Sequence, residues 1–68
     1  MSSRQKGFVQ SYNREGGYGF IIPYGQEDPV YVEHTALENG ARTLSEGQQV
    51  TFVMDFVAGR FQALHVRP

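Results

Sequence analysis

Sixty-eight residues with no cysteine, six Lys and Arg against seven Asp and Glu, and a formal net charge of −1 leave room for one domain over 1–68 with one modest core. Disulfides and thiolate metal ligation are excluded, and the near-neutral balance argues against a protein that holds nucleic acid mainly by neutralising phosphates. No segment approaches the about 18 apolar residues of a membrane helix and residues 1–6 lack the apolar run of a secretory signal, so we expect a soluble, unprocessed, cytoplasmic protein with no membrane partner and a flexible lead over 1–6.

Residues 7–13 read as a first strand opening on Phe8 and Val9. Asn13-Arg14-Glu15-Gly16-Gly17 ends it, because paired glycines after polar residues permit the positive φ of a tight turn. A second strand follows over 18–23, then a loop over 24–29. Pro29 is tolerated because it stands at the very start of the third strand, 30–33. Residues 34–39 have the length of a single helical turn, stopped by Gly40. Ser45-Glu46-Gly47-Gln48 turns the chain into the longest strand, 50–57, where Val50, Phe52, Met54 and Phe56 share one face by alternation and are assigned to the core. Ala58-Gly59-Arg60 is a tight connection to a fifth strand, 61–66. Five short strands with little helix predict an all-β fold closed into a small barrel. The core would come chiefly from Val9, Ile21, Val30, Val32, Val50, Phe52, Met54, Ala63 and Val66.

In a strand, residues two apart share a face, so Tyr18 and Phe20 project together with no side chain at Gly19 between them. Val30 and Val32 turn inward in the third strand, which turns Tyr31 and Glu33 outward. Aromatic residues in strands are usually core. Here Ile21, Val30 and Val32 already supply an inward face, and a sheet this thin does not bury both faces. Tyr18, Phe20 and Tyr31 therefore form an exposed platform on which unpaired bases stack, at about 1–3 kcal/mol per base and with little regard for sequence. Stacking tolerates a neutral domain if local cations line the groove, for which Lys6, Arg14 and Arg42 are available. Glu15, Glu33 and Glu38 lie close to the same segments and oppose them.

Gly7-Phe8-Val9, Tyr12-Asn13, Gly17-Tyr18-Gly19-Phe20-Ile21, Val30-Tyr31-Val32, Thr43-Leu44, Glu46-Gly47-Gln48-Gln49-Val50 and Gln62-Ala63 follow the order and spacing of the bacterial cold-shock proteins, which the chain resembles from about Gly7 to Val66. The resemblance implies a five-stranded antiparallel OB-fold barrel that binds single-stranded RNA or DNA on strands two and three. It places the family's stacking rings on Tyr18, Phe20 and Tyr31 and keeps an aromatic at Tyr12. Arg42 retains a basic residue in the loop. The chain departs from the family elsewhere. Ser11 stands where the family has a surface tryptophan, Gln10 and Gly16 where it has lysines, Glu33 where it has histidine, His34 where it has phenylalanine, and Ala41 where it has a loop aromatic.

Residues and resemblance together give a nucleic-acid site in which bases stack on Tyr18, Phe20 and Tyr31, with Tyr12 and His34 at the margins and Arg14 and Arg42 on phosphates. Its affinity would be below the family's norm, and it would depend on pH because a protonated imidazole at His34 attracts phosphate. The cellular role it implies is an RNA chaperone or a modulator of transcription or translation under stress. A second reading keeps the barrel as a protein-interaction module that has lost most of its nucleic-acid affinity and offers the same rings to a protein partner. We expect a monomer.

No enzyme is expected. Glu33, His34 and Thr35 are adjacent, but neighbours on a strand point to opposite faces and do not converge as a triad unless the strand ends at Glu33, and nothing shows the geometry of base, nucleophile and orienting group that the chemistry needs. Two histidines without cysteine or clustered carboxylates give no metal site, and Gly16-Gly17-Tyr18-Gly19 lacks the lysine and helix start of a phosphate loop. No catalytic residue, metal or cofactor is assigned.

Overall fold

The computed structural model describes residues 4–38, 40 and 43–68. The strands are β1 (Gln5–Asn13), β2 (Tyr18–Pro23), β3 (Val30–Glu33), β4 (Gln49–Val57) and β5 (Arg60–Arg67), with one 3-10 turn at His34–Ala36 after β3. They close into a barrel in the order β1-β2-β3-β5-β4. No helix among the described residues is long and apolar enough to cross a membrane.

The all-β, five-stranded barrel is as expected, but it is not antiparallel throughout. Four seams are antiparallel, and the fifth, β3 against β5, is parallel, with Tyr31 opposite Gln62. Alternating directions cannot close around an odd number of strands, so one seam has to run parallel.

Two β-bulges shape the walls. Val9 pairs with Ile21 and Ser11 with Phe20, which leaves Gln10 as an extra residue in β1 and flips the facing of everything after it. In β5, the step from Leu64 to Arg67 spans three residues against two in β4, and His65 sits inside it in a left-handed conformation, φ 52°.

Val9, Ile21, Val30, Val32, Leu44, Val50, Phe52, Ala63 and Val66 form the buried core. Leu44 enters it from the long connection between β3 and β4, a segment that carries no strand pattern to read. Met54 packs against this core only partly buried. Phe56, assigned to the core from its alternation with Phe52, is 60% exposed. It keeps the predicted face, but the β4–β5 hairpin runs on past the end of the core. There Phe56 meets Phe61 edge to face, ring centroids 5.1 Å apart.

The lead over 1–6 is also corrected in part. β1 starts two residues earlier than expected: Gln5 and Lys6 pair with Phe52 and Thr51. Arg4 Nη2 donates to the Thr51 carbonyl at 3.2 Å and to the His65 carbonyl. Residues 1–3 lie outside the described residues.

Two local features yield stability predictions. The β4–β5 hairpin turns on Ala58 and Gly59, with φ of 53° and 85°, the two positive values of a type I′ turn. Left-handed backbone costs an ordinary L-residue about 1–2 kcal/mol, and asparagine tolerates it better. Ala58→Asn should recover part of that cost and raise the chemical-denaturation midpoint; an unchanged or lower midpoint would contradict the turn assignment.

Near the C-terminal end of β5, Leu37 bridges to Val66, and the Glu38 amide donates to the Val66 carbonyl at 2.8 Å. The half-buried Glu38 carboxylate then meets His65 Nδ1 at 2.6 Å and accepts from Arg67 Nε at 2.9 Å. The hydrogen bonds from His65 and then Arg67 hold this carboxyl below the usual carboxylate range. The folded chain therefore gives up the proton more readily than the unfolded one. The stabilisation is complete above the ordinary carboxylate range and is lost as pH falls through the lowered folded value. Glu38→Gln should lower the melting temperature at neutral pH, and its deficit against the parent should shrink as pH falls below the ordinary carboxylate range; a deficit that stayed constant with pH would show that the carboxylate charge is not its origin.

Candidate nucleic-acid interface

The β2–β3 register decides which side chains meet. Gly19 pairs with Val32 and Ile21 with Val30 on the inner face, while Phe20 pairs with Tyr31 and Tyr18 with Glu33 on the outer face. Ile21 and Val32 are fully buried, so the outer set is left facing away from the core. Tyr18 and Tyr31 lie with planes 22° apart and centroids 6.1 Å apart, and Phe20 meets Tyr31 edge-on at 5.8 Å. The three rings expected on one surface are there. Tyr18 is 37% exposed; Phe20 and Tyr31 are half-buried by one another and by their neighbours.

The turn before β2 holds Tyr18 in place. Asn13 Oδ1 accepts from the Gly16 amide at 2.9 Å, and Asn13 Nδ2 donates to the Tyr18 hydroxyl at 3.5 Å. A Cβ on Gly16 would lie 2.5 Å from the Tyr18 ring, so the tyrosine rests against bare backbone there. The His34 amide donates to the Gly17 carbonyl at 2.8 Å, and its ring lies where a Cβ on Gly17 would be, 2.6 Å from His34 Cδ2. His34 is exposed, with its ring against Gly17, the residue before Tyr18.

Tyr12, expected in the site, faces the other way. Because Gln10 is bulged, Val9 and Tyr12 both turn inward, and Tyr12 pairs with Gly19 and packs against the core. Its ring fills the space that a Gly19 side chain would need: a Cβ there would fall 2.6 Å from Tyr12 Cδ1 and 2.4 Å from the Ser11 carbonyl oxygen. Gly19 is therefore required by close approach of β1 and β2 on the inner side. The Tyr12 hydroxyl is buried without a hydrogen-bond partner among the described residues, and burial pushes its pKa up. Tyr12 supports the platform from beneath. The same bulge turns Ser11 to the outer face opposite Phe20, leaving a hydroxymethyl group at the β1 edge of the rings.

Among the cations, Arg14 lies in the β1–β2 turn, and its Nε donates to Thr43 Oγ1 at 3.3 Å. Arg42 lies outside the described residues. Arg60, which the sequence reading did not select, places its guanidinium carbon 3.9 Å from the centroid of Tyr31. The signal was implicit in the strand count, since the parallel seam sets β5 beside β3. A guanidinium on a ring face is attracted by the ring's quadrupole and offers both a stacking plane and a phosphate donor. Glu33, across from Tyr18, is exposed and makes no salt bridge among the described residues.

Residues 5–68 match the family described as the 'Cold-shock' DNA-binding domain. The chain belongs to that family. The cold-shock domain is 46% identical to cold shock protein CapA of Pseudomonas fragi over 81% of its own length and 88% of that protein. With the cold shock-like protein CspB of Escherichia coli it shares 41% identity, over 81% of this chain and 79% of that one. Among solved structures, drosophila Unr CSD456 superposes with a TM-score of 0.80 at 20% identity, covering 96% of the cold-shock domain and 26% of that longer chain. That likeness is one of fold.

Proposed function

We propose that this cold-shock domain binds single-stranded RNA or DNA, without catalysis, by stacking bases on Tyr18, Phe20 and Tyr31. The observation that carries the reading is the contact of these three rings on the outer face of β2 and β3, joined by the Arg60 guanidinium. His34, Arg14 and Arg60 supply the polar contacts, and Arg42 joins them as a phosphate contact by family resemblance. Ser11 in place of a ring and Glu33 at the edge make the affinity lower than is usual for the family, because each removes stacking area or repels phosphate. The domain acts as a monomer in the cytoplasm, as an RNA chaperone or a modulator of transcription or translation.

Fluorescence anisotropy with labelled oligo-dT and a mixed-sequence RNA tests this reading. About three phosphates neutralised on a single strand give a slope near −2 in log affinity against log salt, so binding should weaken with salt only gently. The net charge of −1 and the exposed Glu33 favour one second reading, a protein-interaction module using the same rings. A folded sample that bound no oligonucleotide at high concentration would overturn the first reading and favour the second.

A further inference from the structure

The outer face of β2 does not end at the platform. Ile22 follows Phe20 by two residues on the same side, between the fully buried Ile21 and Pro23. Phe8 of β1 pairs directly with Ile22, and its ring meets that of Tyr24, centroids 6.1 Å apart with planes 37° apart. Tyr24 is 53% exposed, and its amide donates to the Lys6 carbonyl at 3.0 Å, so the β1–β2 ladder carries it onto the flank of the barrel. Lys6 is exposed and, two residues from Phe8 in the same strand, shares its outward face.

The core does not use these apolar side chains, which sit on the wrong face for it. Parity puts Phe8, Ile22 and Phe20 in one continuous outward row, with Tyr24 at its end. We propose, building on the single-strand reading above, that Phe8, Ile22 and Tyr24 form a second stacking subsite. It would take a further base of the same strand, its phosphate reached by Lys6. Two observations favour nucleic acid as the occupant. The patch is continuous with the platform through Ile22 and Phe20, and the cation beside it is the group that a sugar-phosphate chain leaving the platform would meet. At about 3.3 Å per residue, Tyr18 to Ile22 already spans about 13 Å. The subsite therefore lengthens the footprint in place of tightening the first contacts.

The test compares oligo-dT of about four and about eight nucleotides, within the about 4–16 nucleotides an OB fold covers. It uses the parent, Tyr24→Ala, Tyr24→Trp and Tyr31→Ala, each checked for fold by circular dichroism. Tyr24→Ala should leave the short oligonucleotide unaffected and weaken the long one roughly 5-fold or more. The chain has no tryptophan, so Tyr24→Trp reports on this position alone: its emission should be quenched by the long oligonucleotide and not by the short one. If Tyr31→Ala weakens both lengths while Tyr24→Ala weakens neither, the platform reading stands and the second subsite is wrong, leaving the patch free for a protein. Equal weakening of both lengths by Tyr24→Ala also overturns the subsite. If the folded parent binds neither length, the platform and its extension fall together.

Discussion

Replacing Phe52 by alanine is expected to cost about 3–5 kcal/mol, a large share of the stability of the domain. Phe52 is the largest of the fully buried side chains, with no exposed surface. It pairs with Gln5 across the β1–β4 seam, so the hole left behind would open against a wall that also anchors the N-terminal strand. At about 0.05–0.15 kcal/mol per residue, a chain of this length has roughly 3–10 kcal/mol in total, and each kcal/mol lost lowers the melting temperature of so small a domain by about 4–8 °C. A thermal melt by far-UV circular dichroism should therefore fall by at least about 12 °C, or show no folded baseline. Phe56→Ala is the matched control. It lies on the same face of the same strand, but at 60% exposure its truncation should cost under about 1 kcal/mol. Equal melts for Phe52→Ala and the parent would refute the core described above.

The second large effect is on binding. Tyr31→Ala should weaken single-strand affinity by about 1–3 kcal/mol, roughly 5- to 150-fold. It should do more damage than a substitution at either neighbouring ring, because Tyr31 is the one ring that touches Tyr18, Phe20 and Arg60 together. Its loss removes a stacking surface and also releases the guanidinium that the ring positions. Arg60→Gln separates the two contributions. It keeps the rings, and its signature should be a salt slope shallower by about 0.7 for one phosphate contact. Because Tyr31 is half-buried on the outer face, the variant should still fold. Unchanged affinity in a folded Tyr31→Ala sample would rule out the platform as the binding surface.

Much of this architecture follows from alternation alone, because a strand's side chains change face at every residue whatever the partner. Tyr18, Phe20 and Tyr31 had to share one side once Ile21, Val30 and Val32 took the other, and the barrel holds both sets as the pattern requires. Turn chemistry was equally legible at Gly16-Gly17 and Gly59, where local backbone needs select the residue. Pairing between strands decided the rest. The bulge at Gln10 exists only in the register of β1 against β2, and it is what sends Tyr12 beneath the platform and brings Ser11 beside it. Closure of five strands set β5 against β3 and so brought Arg60 onto Tyr31, two residues far apart in the chain. The burial of Leu44 and the exposure of Phe56 depend on where the closed wall begins and ends, a property of the whole barrel that no local periodicity encodes.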